Sequence, residues 1–237
     1  MTIRQDKILN YSILKQTNIE QFRNKKPFPF NQYSGLLKKG KYEQLRNELP
    51  CTELFEEQKG NYRRYGQASH DRLSLDFSSN LAISDNWKIF IEELESGQYR
   101  EFICNLLKTN KFHFKYHWHY TPSAASVSPH CDAEWKLGSH IFYFNSKDDW
   151  DQNWGGQTVI LDDEGKKSFK TAPKFNEFKR QIEIPCIDSH SLLFKRTDHS
   201  WHGVRRIQCP PNKLRKVFIV EFRQNKISNT IRSWFQK

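Results

Sequence analysis

Two short stretches carry residues that could do chemistry together. The first, Pro129-His130-Cys131-Asp132, leads after eight more residues into the apolar run Ile141-Phe-Tyr-Phe-Asn145. The second, Ser200-Trp-His202-Gly-Val204, is followed by Lys213-Leu-Arg215 and the apolar run Val217-Phe-Ile-Val-Glu-Phe222. In a strand, residues i and i+2 share a face, so His130 and Asp132 can reach one metal ion while Cys131 points away. Two histidines and a carboxylate are the donor set of a non-heme Fe(II) facial triad, which leaves three coordination positions open. His-x-Asp alone is a common polar triplet that suits a solvated turn. Its surroundings raise it above that. His202 follows about 70 residues later between apolar neighbours, and Arg215 follows 13 residues after it at the head of a strand. An arginine fork pairs bidentately with a carboxylate. Together they suggest a co-substrate that chelates iron at one end and carries an acid at the other.

These motifs resemble the Fe(II)/2-oxoglutarate-dependent dioxygenases, in the prolyl-hydroxylase-like branch and its small bacterial-type members. The resemblance runs through Tyr120-Thr-Pro122, His130-Cys-Asp132, Tyr143-Phe-Asn145 and Trp154-Gly-Gly156-Gln-Thr-Val, then His202-Gly-Val204 and Arg215. Upstream, Pro27-Phe-Pro-Phe30, Leu45 to Pro50 and the Trp87, Phe90, Leu94, Ser96 pattern extend it over residues 27–224. It implies that His130, Asp132 and His202 are the iron ligands and that Arg215 pairs with the distal carboxylate of 2-oxoglutarate. It also implies that Tyr143 hydrogen-bonds that carboxylate and that Tyr120 lines the co-substrate pocket. The cofactors implied are Fe(II), 2-oxoglutarate and O2. Lys216 adjoins Arg215, but alternation along a strand puts Arg215 on the face of Val217, Ile219 and Glu221. A family halogenase replaces the carboxylate ligand by a small residue; Asp132 fills that position, so hydroxylation is expected rather than halogenation, with desaturation and ring formation as the other outcomes the resemblance allows.

Composition bounds the rest. The chain of 237 residues suits one domain with a substantial core. Hydrophobic content is 36%, yet seven Trp, nine Tyr and eighteen Phe supply the burial that scarce aliphatics do not. No apolar run approaches the ~20 residues that span a bilayer, and Met1 to Asp6 has no apolar signal region. The expectation is a cytoplasmic protein with no membrane association. Five scattered cysteines without a Cys-x-x-Cys pair argue against a disulfide framework or a structural zinc site. The net charge of +11 is spread along the chain, which reads as a solvated basic surface rather than a nucleic-acid tract.

Residues 1–26 read as a helical arm, 27–225 as the catalytic domain and 226–237 as a tail. Helices are expected over 42–49, 87–94 and 99–107, the first ended by Pro50. The stretch 60–77 is aromatic, basic and irregular. Tyr62, Arg63, Arg64 and Tyr65 are candidates for substrate contact, with Trp118 and Trp135 lining the same pocket. From 112 the texture turns to strands, and Phe112 to Tyr120 alternates strictly. His113, His117 and His119 share one face, taken as an exposed one, and receive no metal. Seven further strands, at 128–135, 139–145, 156–161, 181–186, 190–195, 202–208 and 216–223, make eight. That is the count of a double-stranded β-helix, a mainly β jelly-roll core (about 112–224) with flanking helices. Residues 162–179 read as a structureless loop that could act as a lid.

The expected activity is hydroxylation of an aliphatic carbon in an amino acid, a peptide or a small polar metabolite, with succinate and CO2 as co-products. Two rivals are a nucleic-acid demethylase and a non-catalytic jelly-roll binding protein. The demethylases carry a second arginine six residues past the clamp, where this chain has Glu221. Zinc in the same ligands would instead give a hydrolase.

Overall fold

The computed structural model describes residues 7–225. The expected tail, 226–237, and the first six residues of the arm lie outside the described residues. In chain order the elements are α1 (Tyr11–Lys15), α2 (Ile19–Asn24), β1 (Phe30–Ser34), α3 (Lys39–Asn47), β2 (Glu56–Gln58), β3 (Arg72–Asp76), α4 (Asp85–Glu95) and α5 (Gly97–Leu107). The β half follows as β4 (Phe112–Thr121), β5 (Val127–His130), β6 (Lys136–Tyr143), β7 (Thr158–Asp162), β8 (Arg180–Ile184), β9 (His190–Lys195), β10 (His202–Val204) and β11 (Arg215–Gln224).

The strands form two antiparallel sheets. The larger runs β1-β9-β6-β11-β4-β3-β2, the smaller β5-β10-β7-β8. They face each other as a jelly roll. Ile141, Tyr143, Leu192, Phe194 and Val217 of the larger sheet bury against Ile160, Ile184 and Val204 of the smaller. The outer face of the larger sheet is covered by helices. In α4, Trp87, Phe90, Ile91 and Leu94 fall at helical spacing and are buried. The Ser84 hydroxyl accepts from the Trp87 N–H and fixes where that helix begins. Trp87 and Phe90 then pack on Phe142, Trp118 and Phe218, whose side chains point outward from the central strands. The arm's Leu14 and Phe22 are buried in the same cluster. No helix among the described residues is long and apolar enough to cross a membrane.

Three expectations need correction. The stretch 60–77 is not wholly irregular: Arg72–Asp76 forms β3, which pairs with β2 and β4 and extends the larger sheet. The histidine face of β4 is not a solvated one. Lys115, His117, His119 and Thr121 line the cavity between the sheets, and only His113, at the far end, is exposed. Residues 162–179 are not structureless. Asp163 is buried and its carboxylate accepts from the backbone N–H groups of Gly165 and Lys167, and Phe175–Glu177 forms a 3-10 turn.

Candidate active site

His130 ends β5 and His202 opens β10, and the two are cross-strand partners. Their rings lie 4.4 Å apart between centroids. Asp132 follows just beyond the end of β5. One ligand atom from each of His130, Asp132 and His202 lies within 4.8 Å of the others, and all three residues are buried. Cys131 points the other way, with its thiol near the Asp198 carbonyl.

The second nitrogens decide what the histidines can do. His130 Nδ1 lies 3.0 Å from the Ser128 carbonyl, and His202 Nδ1 lies 2.9 Å from the Ser200 carbonyl. A carbonyl only accepts, so each Nδ1 must carry the proton and donate it. Each Nε2 therefore holds a free lone pair, and that of His130 lies 3.9 Å from Asp132 Oδ1. Backbone-fixed tautomers of this kind are how proteins prepare histidines as metal ligands. Burial pushes both imidazoles below their ordinary range, that of His130 well below it, which favours the neutral form of both at pH 7. Burial pushes the Asp132 carboxyl up, but Lys136, His202 and His130 outweigh it and hold Asp132 well below the usual carboxylate range. Ser139 donates its hydroxyl to Asp132 Oδ2 at 3.1 Å, and Lys136 Nζ lies 3.3 Å from Oδ1.

A cavity of about 580 Å³ opens from these ligands between the sheets. Arg215 forms its far end and is buried. Its Nε donates to the Gly156 carbonyl at 2.5 Å and an Nη to Thr158 Oγ1 at 3.2 Å. Among the described residues no carboxylate oxygen comes within 4.0 Å of it. A guanidinium in a cavity with only neutral acceptors suits an incoming acid. Gly156 has a φ of +91°, and a Cβ there would sit 3.1 Å from Arg215 Cδ, so the clamp rests on a residue without a side chain.

Other expected positions fall differently. Tyr143 reaches Arg215 through its ring, 5.5 Å from the guanidinium carbon, but its hydroxyl donates to Thr158 Oγ1 at 2.8 Å. It therefore acts on the clamp through Thr158. Tyr120 is on the opposite face of β4: its hydroxyl donates to the Pro50 carbonyl and its ring stacks on Phe55. It does not line the cavity. Trp118 shares that outward face, wholly buried under α4, and is not a substrate contact either. Odd and even positions of a strand cannot serve the same side, and the β4 alternation that buries Phe112 to Tyr120 removes both. Of the 60–66 candidates only Arg63 lines the cavity. Tyr62 is 90% exposed, Arg64 lies 6.0 Å over the ring of the 49% exposed Trp135, and Tyr65 packs edge-on against Phe169. These four sit outside the cavity wall.

Sequence reading missed several groups. His70 packs on the His130 ring at 4.8 Å and contacts the Ser128 hydroxyl at 3.0 Å. Arg72 lies on the cavity face of β3 with Ser74 and Asp76. The polar-apolar alternation of Arg72-Leu-Ser-Leu-Asp76 was the signal for Arg72. Lys136 bridges Asp132 to the buried Glu221, 2.5 Å from its Oε1.

With this geometry in view, the comparisons are direct. The model of the 2OG-Fe(II) oxygenase superfamily matches residues 104–222, half of the chain. The chain belongs to that superfamily. It is a 2-oxoglutarate-dependent oxygenase, and its cofactors are Fe(II), 2-oxoglutarate and O2. No curated protein matches it. A Pseudomonas putida prolyl-4-hydroxylase superposes with a TM-score of 0.63 at 14% identity, over 87% of this chain and 97% of that one. A Trichoplax adhaerens prolyl hydroxylase, in complex with a hypoxia inducible factor peptide, gives 0.60 at 12% over 95% and 94%. HygX from Streptomyces hygroscopicus, with nickel, 2-oxoglutarate and hygromycin B bound, gives 0.57 at 11% over 84% of each. At these identities the likeness is one of fold.

Proposed function

We propose that this oxygenase hydroxylates an aliphatic carbon of an amino acid, a peptide or a small polar metabolite. His130, Asp132 and His202 hold Fe(II), and Arg215 with Thr158 takes the distal carboxylate of 2-oxoglutarate. The observation that carries this is the pair of Nε2 lone pairs, fixed by the Ser128 and Ser200 carbonyls, set beside the Asp132 carboxylate. When bound, the metal and co-substrate supply the oxidising chemistry: one oxygen atom of O2 goes to the substrate carbon and the other to succinate, with release of CO2.

The chain's own residues bind, orient and exclude water. Asp132 is an ionised ligand at neutral pH because Lys136 and the two histidines hold its proton off. Thr158 Oγ1 accepts from both Tyr143 and Arg215, so its own hydrogen is free to meet a carboxylate oxygen beside the guanidinium. Ile141, Val217, Ile219 and Phe194 line the cavity with apolar surface. Asp132, a carboxylate rather than a small side chain, leaves no place for a halide ligand, which supports hydroxylation.

The test is anaerobic addition of Fe(II) and 2-oxoglutarate, followed by succinate formation in air. A visible charge-transfer band and iron-dependent succinate are expected, both absent in Asp132→Ala. Turnover without O2 or 2-oxoglutarate, sustained by zinc, would overturn the reading.

A further inference from the structure

The proposed reaction assigns the Arg215 side of the cavity and leaves the wall that carries Arg63 and Arg72 unexplained. Glu221 lies six residues beyond Arg215 on the same strand, about 20 Å away at ~3.3 Å per residue. Around Glu221 the cations are matched. Lys136 serves Asp132 and Glu221, Arg223 Nη2 lies 2.6 Å from Glu221, and Lys115 lies 2.5 Å from Asp76. Two guanidiniums in the same wall are not matched. Among the described residues, neither Arg63 nor Arg72 has a carboxylate oxygen within 4.0 Å.

Their polar atoms are short of partners as well. Arg72 donates one Nη to the His70 carbonyl at 2.8 Å, and its Nε is buried with no partner. Arg63 Nε is likewise buried with no partner. The two guanidiniums are near enough that burial and then Arg72 pull Arg63 below its ordinary pKa, while Asp132 pulls the other way. Arg72 lies one residue before Leu73, which pairs with Tyr120 of β4, so it is level with Thr121, whose β11 partner is Arg215; burial lowers its pKa, while Glu221 and Asp76 raise it. The wall that carries them is tied down. His70 packs on His130, Gln67 donates to the Thr171 carbonyl at 3.2 Å, and Tyr65 meets Phe169. Like charges held together in a low-dielectric wall are unfavourable unless an anion joins them. Two planar forks match the oxygens of one carboxylate or phosphate.

We infer that Arg63 and Arg72 bind an acid group, carboxylate or phosphate, of the primary substrate, which is therefore an organic acid or a phosphate ester. This rests on the oxygenase reading above. The acid docks on the β3 wall of the cavity, two strands across from Arg215, and presents a nearby C–H bond to the metal ligands. A neutral analogue would leave both forks unpaired inside the cavity, so the pair selects against amides and esters of the same skeleton.

The test uses protein loaded anaerobically with Mn(II) and saturating 2-oxoglutarate, which keeps Arg215 occupied. Phosphate and acetate are titrated calorimetrically into wild type and into Arg63→Gln/Arg72→Gln. Wild type is expected to bind at least one of the two at one site per chain, with a dissociation constant of about 1 mM. The double variant should bind it at least tenfold more weakly. Equal binding to the two proteins, or none to either, overturns the inference. Loss of 2-oxoglutarate binding in the variant also overturns it, because the arginines would then belong to the co-substrate. If wild type takes up no Mn(II) or 2-oxoglutarate, the oxygenase site has failed instead, and the same titration of metal-free protein still decides on the arginine pair. A turnover screen of amino acids, organic acids and phosphorylated metabolites, each beside its carboxamide or dephosphorylated form, then separates carboxylate from phosphate.

Discussion

Asp132 is held by more than the metal it would bind. Lys136 reaches it and Glu221 together, and its own side chain is only 17% exposed. Burial lowers the Lys136 pKa, but Asp132 and Glu221 together raise it above its ordinary value, so the ammonium persists. Removing one member of such a group strands the others as uncompensated buried charge. Lys136→Met should therefore cost about 3–5 kcal/mol of stability. Lys136→Met with Glu221→Gln should cost less than the sum of the two single changes, as read by urea denaturation of all four proteins. Simple additivity would mean that the three groups are not linked. The clamp gives a second prediction. Thr158→Val leaves the Tyr143 hydroxyl and an Arg215 N–H without their acceptor, worth about 1–3 kcal/mol, or roughly 5- to 150-fold in the KM for 2-oxoglutarate. Tyr143→Phe removes one hydrogen bond, about 1 kcal/mol, and should raise that KM only about fivefold. An unchanged KM in Thr158→Val would remove Thr158 from the clamp. That His130 and Asp132 share a face was legible in the sequence because their spacing is local, and the face of Arg215 because strand parity sets it; His202 was joined to them by the family resemblance. Lys136 bridging to Glu221 was not legible, since two residues 85 positions apart meet only through the register of β6 with β11, and that register is a tertiary fact.

At the scale of elements, the proposed metal ligands depend on how closely β10 approaches its neighbours. His202 faces His130 across β5 and Ile160 across β7, and the next residue is Gly203. A Cβ at Gly203 would lie 2.6 Å from the Val127 carbonyl oxygen and 2.8 Å from the Phe175 ring. Backbone cannot yield as a flexible side chain does, so Gly203→Ala must push β5 away from β10. That movement separates His130 from His202. Overpacking of this kind costs about 1–3 kcal/mol. The larger effect is expected on the site: ferrous titration should show affinity weakened by at least tenfold, while far-UV circular dichroism stays near wild type. Wild-type affinity would show that β5 is free to shift without carrying His130. The strands of the second half were legible from alternation and turn residues alone. β3 was hidden by the aromatic and basic residues before it, and its five residues acquire meaning only beside β4. The β4 histidines were misread for a related reason. Alternation tells which side chains share a face but not which face is inside, and here helices cover the aromatic face while the second sheet encloses the histidine face.

At the scale of the molecule, the core is built in two layers, and titratable groups are sealed into both. His140 is the clearest case. It lies on the helix side of β6, wholly buried, between the Tyr99 hydroxyl at 2.8 Å and the Ser191 hydroxyl at 3.1 Å. Burial pushes its pKa down to about 3, and burial likewise takes His70 to about 3 and His117 to about 4. These histidines are neutral in the folded chain and charge freely in the unfolded one, where the ordinary value is 6.5. The unfolded state therefore binds more protons below pH 6.5, so the stability they allow is present above that value and is lost as pH falls toward 4 and 3. Each such group steepens the fall by about 1.4 kcal/mol per pH unit. His140→Gln keeps a polar side chain between the two hydroxyls but cannot titrate. Its unfolding free energy, measured by urea between pH 7 and pH 4.5 on metal-free protein, should decline less steeply than wild type by about 1.4 kcal/mol per pH unit below pH 6. An offset at neutral pH is expected, because the glutamine will not pack as the imidazole does, but the difference in slope is independent of that offset. Parallel curves would mean that His140 takes up its proton inside the folded core, and the hydroxyls of Tyr99 and Ser191 would then have to accept from a charged ring.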